Sequence, residues 1–203
     1  MKSYNQTKRM RARYIHELRN LSQNMSTTLQ GCIDFSKRMA EKLKTAPGIM
    51  FLGQGLAEAV AQEGCLKMKE LTYLHCQCFS IGNVSNNFYN YAKMNALPAI
   101  FVILDSMPQD KRTAIATMKK LQSRQINMYS IIISDCQDDE TRAFFSEFCG
   151  GDNERIHYVP KSGEALSALL CVVPLQRLAF DTTIALGYNP DRPRNLAKEL
   201  TTQ

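Results

Sequence analysis

The chain has 203 residues, 44% of them apolar, and a formal net charge of +6. That is enough for one α/β domain with an appendage, and it excludes a disordered chain. No run of about 18 uninterrupted apolar residues marks a membrane span: the longest candidate, 165–180, is broken by Ser167, Pro174, Gln176 and Arg177.

The polar opening Met1-Lys2-Ser3-Tyr4-Asn5-Gln6 lacks the apolar centre of a signal peptide. Helices are expected at 5–21 and 25–43, the second with Leu29, Cys32, Ile33, Phe35, Met39 and Leu43 at near-helical spacing. The charge excess is concentrated in Lys8, Arg9, Arg11, Arg13 and Arg19. With no helix-turn-helix spacing or interleaved aromatics beside it, this run reads as a solvated helix face and not a nucleic-acid reader. Pro47-Gly48 breaks the helical pattern. Beyond it, strands are expected at 49–52, 76–81, 99–104, 128–134 and 156–159, and helices at 56–74, 87–94, 108–123, 138–149 and 163–186.

This alternation signals a parallel sheet with helical crossovers, an α/β fold of the flavodoxin-like, five-stranded, doubly wound kind preceded by N-terminal helices. The expected division is 1–46 for connector helices, 47–187 for the sheet domain and 188–203 for an irregular tail. Ligands in such sheets bind outside the carboxyl ends of the strands. That points to Gly53-Gln54-Gly55, to 82–87 and to 160–163.

Seven cysteines, an odd number scattered through regular elements, agree with a reducing compartment, and most of them read as buried thiols. A soluble cytoplasmic protein is expected. In His75-Cys76-Gln77-Cys78, strand alternation puts the two cysteines on one face and His75 on the other, so a metal would need ligands from elsewhere. No metal is expected. His16 and His157 read as structural, and Ser162 reads as an N-cap, although Ser162-Gly163-Glu164 at a helix start also offers backbone N–H groups to an anion.

After the Gly53-Gln54-Gly55 turn, Glu63, Lys67 and Glu70 recur at four and then three residues, forming one helical stripe from which Lys69 points away. An exposed salt-bridge ladder has the same spacing. The run Glu63-Gly64-Cys65-Leu66-Lys67-Met68-Lys69-Glu70, the segment Val173-Pro174-Leu175-Gln176-Arg177-Leu178-Ala179-Phe180 and the tail Arg194-Asn195-Leu196-Ala197-Lys198 all stand in this chain. Together they resemble the second sugar isomerase (SIS) half of glucosamine-6-phosphate synthase, the isomerizing glutamine:fructose-6-phosphate aminotransferase of amino-sugar synthesis, from about Leu52 to the end.

The resemblance implies a SIS fold and a hexose 6-phosphate or amino-sugar phosphate ligand, with no cofactor. It makes Glu70 the isomerisation base, Lys67 its charged partner and Lys198 the imine-forming lysine. Gly53, Gly55, Glu63, Asn86 and Ala197 fall on substrate-binding positions. Such sites are assembled across subunits, which implies a homodimer or a separate chain supplying the first SIS half.

Departures are also visible. Asn86 stands where the family carries its ring-opening histidine, and Gln54 where it carries arginine. An amide cannot shuttle a proton near neutral pH. The phosphate-cradling loop of the first SIS half and the glutaminase domain have no counterpart in these residues. Two rival functions remain: a noncatalytic sugar-phosphate-binding or regulatory protein, and a DNA-binding regulator with a sugar-sensing domain. The roughly 45 residues before the sheet are too few for a helix-turn-helix reader of the second kind.

Overall fold

The computed structural model describes residues 2–84, 88–89, 97–126 and 128–194. The helix expected over 87–94, and with it Asn86, Ala197 and Lys198, falls wholly or mostly outside the described residues. Strands β1 (Ile49–Gly53), β2 (Cys76–Ser80), β3 (Ala99–Ile103), β4 (Ser130–Ser134) and β5 (Ile156–Tyr158) form one parallel sheet in the order β2-β1-β3-β4-β5. The helices are α1 (Lys2–Gly31), α2 (Ile33–Leu43), α3 (Leu56–Thr72), α4 (Pro108–Ser123), α5 (Asp139–Phe148) and α6 (Glu164–Ala185).

Strand alternation divides the core into two layers. Ile49, Phe51, Ile100, Val102, Ile131 and Ile133 face α2, α3 and α6, where they meet Phe35, Met39, Val60, Met68, Leu170, Leu175 and Leu178. Met50, Leu52, Phe101, Ile103 and Ile132 face the other way, against Ala114, Met118 and Leu121 of α4 and Phe145 of α5. The central strands are therefore buried on both faces, as a sheet covered by helices on both sides requires.

Helix α1 runs through 22–24, where a break was expected, and the bend falls at Gly31-Cys32. Ser22, Gln23 and Asn24 are only mildly unfavourable in a helix, while Gly31 costs about 1 kcal/mol relative to alanine. Hydrogen bonds cross the bend, from Cys32 N–H to the Thr28 carbonyl at 3.0 Å and from Ser36 N–H to the Cys32 carbonyl at 2.8 Å. A buried contact joins α2 to α6: Ser36 Oγ donates to Asp181 Oδ2 at 2.5 Å, and the same carboxylate oxygen accepts from Arg177 Nε at 2.7 Å.

The segment Ala165–Ala185 of α6 is long and apolar enough to cross a membrane by length and composition. Over half of it is buried inside this fold, against α2, α3 and the sheet, as a core helix.

Candidate functional site

At the carboxyl end of β1 the chain turns directly into α3. A side chain on Gly53 would collide with the Ala57 carbonyl, and Gly55, at φ +58°, lies against the Asp110 carboxylate, which a Cβ would strike. Both positions therefore require glycine. Between them, Gln54 Oε1 accepts from Gly82 N–H at 2.8 Å and from Ser80 Oγ at 3.2 Å, tying the loop after β1 to the loop after β2. An arginine has no acceptor and could not make this bridge. The crevice where the sheet order reverses, lined by Gln54, Ala57, Leu104, Asp110, Lys111 and Ala114, holds only about 10 Å³, the space of one water.

The predicted stripe is present on α3. Lys67 Nζ donates to Glu70 Oε2 at 2.9 Å, with both side chains partly exposed. The hydrogen bond to Glu70, with the nearby charges of Glu70 and Glu63, outweighs the cost of burial and holds the Lys67 amine above the ordinary lysine pKa. Lys67 is thus a charge donor and not a free amine. Glu63 Oε1 accepts from Gln176 Nε2 at 3.2 Å, and a Cβ on Gly64 would sit 2.8 Å from Leu175 Cδ1. Two of the three sequence motifs, on α3 and α6, therefore touch.

The third motif starts at the same end of α3. Arg194 N–H donates to the Tyr73 hydroxyl at 2.7 Å. Tyr73 caps α3, three residues beyond Glu70. Of the sequence-predicted residues, the structure gathers Glu63, Lys67 and Glu70 on one helix face and places Gly53 and Gly55 at its start, more than a full turn before Glu63.

No family model matches the chain. Over 188 residues it is 32% identical to the glutamine–fructose-6-phosphate aminotransferase (isomerizing) of Corynebacterium diphtheriae, covering 92% of this chain and 28% of that protein. Among solved structures, the C-terminal domain of glucosamine-fructose-6-phosphate aminotransferase from Francisella tularensis superposes with a TM-score of 0.71 at 22% identity, covering 88% of this chain and 46% of the other. The fold is that of a sugar isomerase (SIS) domain. Tagatose-6-phosphate ketose/aldose isomerase from Escherichia coli shares it, with a TM-score of 0.67 at 18% identity over 85% of this chain and 45% of that one. In sequence the SIS domain is related to the aminotransferases, and it spans between 25% and 30% of the length of such relatives.

Sequence reasoning missed an ionic network on this SIS domain, at the carboxyl ends of β3 to β5. Lys111 Nζ donates to Asp105 Oδ1 at 2.7 Å and to Asp138 Oδ2 at 2.6 Å, and Lys161 Nζ reaches Asp105 Oδ2 at 2.5 Å. Burial disfavours the Lys111 charge, but the hydrogen bonds to Asp105 and Asp138 prevail and hold its pKa above the ordinary range. Asp105, Cys136 and Asp138 bring potential metal ligands within 4.8 Å of one another. The Lys111 ammonium already balances the two carboxylates, and burial pushes the Cys136 thiol up to about 12, so it stays protonated. The only signal in the sequence was an aspartate shortly after each of β3 and β4, which is too common to single out.

A roomier cavity of about 290 Å³ lies between α1 and the loops after β3 and β5, lined by residues that include Arg13, Ser106, Lys161 and Gly163. Here the reading of Ser162 is corrected. The N-cap of α6 is Gly163, and Ser162 instead donates its N–H to Ser167 Oγ at 3.1 Å, while that hydroxyl donates back to the Ser162 carbonyl. The helix begins one residue later than a Ser162 cap requires. The Glu17 carboxylate from α1 packs against Gly163, so an acidic side chain of the protein itself stands at the amino end of α6.

Proposed function

We propose that the chain is the second SIS half of a hexose 6-phosphate isomerase or aminotransferase, acting in the cytoplasm on fructose 6-phosphate or an amino-sugar phosphate. The observation that carries this reading is the Lys67–Glu70 pair, 2.9 Å apart beside the residue that anchors the root of the lysine-bearing tail. Glu70 takes the proton from C1 of the open-chain sugar and returns it to C2, with the Lys67 ammonium held beside it. Lys198 attacks the C2 carbonyl; a C=N bond forms, water leaves, and the C1 proton becomes more acidic. Gly53, Gly55, Glu63, Asn86 and Ala197 are assigned to substrate binding. Residues 1–46 serve as a connector and 188–203 as the tail of the site.

The site is completed by a second chain, either another copy of this one or a polypeptide supplying the first SIS half. Two observations support this. The crevice at the β1/β3 junction is too small for a hexose phosphate, and α1 carries an exposed apolar row of Met10, Tyr14, Leu18, Met25 and Leu29. Sedimentation at micromolar concentration tests it, and a monomer with α1 ordered excludes self-association.

The departures at Asn86 and Gln54 favour a second reading, a noncatalytic sugar-phosphate binder. Borohydride reduction in the presence of fructose 6-phosphate, read by mass spectrometry at Lys198, separates the two. A Lys198 adduct that Lys198→Arg abolishes supports imine chemistry. Amide shifts at 53–55 and 63–70 on titration with glucosamine 6-phosphate, without an adduct, support binding alone. If neither is seen at millimolar ligand, both readings fail.

A further inference from the structure

At the edge of the sheet opposite β2, a pocket of about 300 Å³ lies between α1 and the outermost strand, β5. That volume is at the small end of the range for ligand pockets, about 300–1,000 Å³. Its walls are Thr27, Thr28 and Gly31 from the last turns of α1, Gln137 and Arg142 flanking the start of α5, and the run from His157 to Pro160. The strand that feeds α3, β1, is three strand spacings away, about 14 Å, so this pocket is separate from the Lys67–Glu70 pair.

His157 is 9% exposed, its ring packs on Phe35 with centroids 5.0 Å apart, and its Nε2 is buried with no hydrogen-bond partner among the described residues. Packing accounts for the ring but not for the nitrogen, since buried polar atoms of folded proteins are nearly always paired. Cε1, the carbon bonded to that nitrogen, is the atom that a Cβ on Gly31 would meet, at 3.9 Å, so this edge of the ring faces the α1 wall of the pocket. Burial pushes the imidazole down to about 4, so near neutral pH it is uncharged and, with its proton on Nε2, a donor.

The Arg142 guanidinium is fixed by the Tyr158 ring, 4.5 Å from its centroid, by the Cys136 carbonyl, which accepts from Nε at 3.4 Å, and by Gln137 Oε1, which accepts from Nη2. These contacts use Nε and Nη2 and leave Nη1 over. Gln137 gives its amide N–H to the Val159 carbonyl at 3.4 Å, and Thr28 gives its hydroxyl proton to the Asn24 carbonyl at 2.8 Å. That leaves Arg142, His157 and the Thr27 hydroxyl to meet a ligand, and no acidic residue lines the pocket. We propose that this pocket binds a small monocarboxylate, whose two oxygens accept from Arg142 and from His157 Nε2. One fixed cation beside a neutral ring matches a single negative charge, and a planar guanidinium presents its donors in the geometry that a carboxylate accepts.

The test is a titration of the full chain near neutral pH with sodium acetate and, separately, with inorganic phosphate, at an ionic strength held constant with chloride. NMR follows the His157 Cε1–H and the Gly31 and Tyr158 amides. The chain has three histidines, and His157→Gln identifies the ring signal. Acetate should move all three signals along one saturation curve, and chloride alone should leave them in place. Arg142→Gln should weaken acetate by about tenfold or more, the loss of a hydrogen bond to a charged group, and Arg142→Lys, which keeps the charge without the fork, should fall between. Gly31→Leu fills the pocket from α1 while leaving Arg142 and His157 in place, and should weaken acetate as much as Arg142→Gln does. Signals that acetate does not move, or moves equally in the wild type and Arg142→Gln, overturn the proposal. So does phosphate that saturates the same signals at a lower concentration than acetate.

Discussion

Gln176 on α6 donates to Glu63 on α3 at 3.2 Å, beside the point where Gly64 comes up against Leu175. The two helices approach closely there because position 64 has no side chain. Gly64→Ala would put a methyl group 2.8 Å from Leu175 Cδ1 and 3.1 Å from its Cβ. Overpacking of this kind costs about 1–3 kcal/mol, measurable by urea unfolding. Combined with Leu175→Ala, the second substitution should cost less than it does alone, a coupling that a double-mutant cycle reads directly.

Lys67 and Glu70 form a partly exposed pair, so its loss should affect chemistry more than stability. Lys67→Met should change unfolding free energy by less than about 1 kcal/mol. Because the lysine pKa is raised in the fold, the pair's contribution is complete below the ordinary lysine value and fades only as pH climbs through the raised one. Stability between pH 6 and pH 9 should therefore differ from wild type by a constant amount, within about 0.3 kcal/mol. Glu70→Gln should reduce deuterium exchange from solvent into the sugar by about 10²–10⁴-fold in whichever assembly is active.

Gly163→Ala is expected to act at a distance. Its backbone, at φ −65°, accepts alanine without strain, but the new methyl group would occupy the space of the Glu17 carboxylate. Hydrogen exchange should therefore rise along α1 and not along α6. Adding Glu17→Ala should restore α1 protection. Unchanged exchange in α1 with Gly163→Ala would show that this contact does not seat the helix.

Asp138 caps α5, accepting from Thr141 N–H at 2.9 Å, and also binds Lys111. The Lys111 hydrogen bond, followed by that from Thr141, holds its carboxyl well below the usual aspartate range. The stability it contributes is present above the unfolded aspartate pKa of about 3.9 and is lost as pH falls from there towards the depressed folded value. Asp138→Ala should cost about 1 kcal/mol at neutral pH, the cost of losing a cap. Since the side chain is nearly half exposed, the ion pair adds little to this. The difference from wild type should shrink progressively below about pH 4 in acid-unfolding curves.

Much of this fold was legible because β1, β3 and β4 are short apolar runs and the described crossover helices are bounded by glycine, proline or a polar turn. The α4 limits, set by Pro108 at one end and a polar run at the other, agree with the expected 108–123. The N-terminal helix boundary was not legible, because a gap in apolar spacing at 22–24 resembles a break when no neighbouring helix is in view, and the real bend depends on Gly31 and the packing of α2. The stripe of Glu63, Lys67 and Glu70 was readable from helical spacing, which an exposed salt-bridge ladder shares, so its assignment to a site came from the resemblance and not from the spacing. The Tyr73–Tyr188–Arg194 cluster was not readable, since its members are up to 121 positions apart and only the convergence of two helix ends brings them together. The Lys111 network was hidden for the same reason: its partners come from three separate loops.

Gln54 has a consequence for any attempt to redesign this protein. Its amide oxygen holds Gly82 N–H and Ser80 Oγ together, and a side chain on Gly82 would press on that same oxygen at 2.6 Å. A cation introduced at position 54 severs the tie and leaves the 80–82 turn without its partner. A bulkier residue at 82 displaces the glutamine instead. The two loops thus form a single unit of variation, and libraries that sample one while holding the other fixed should return chiefly broken combinations.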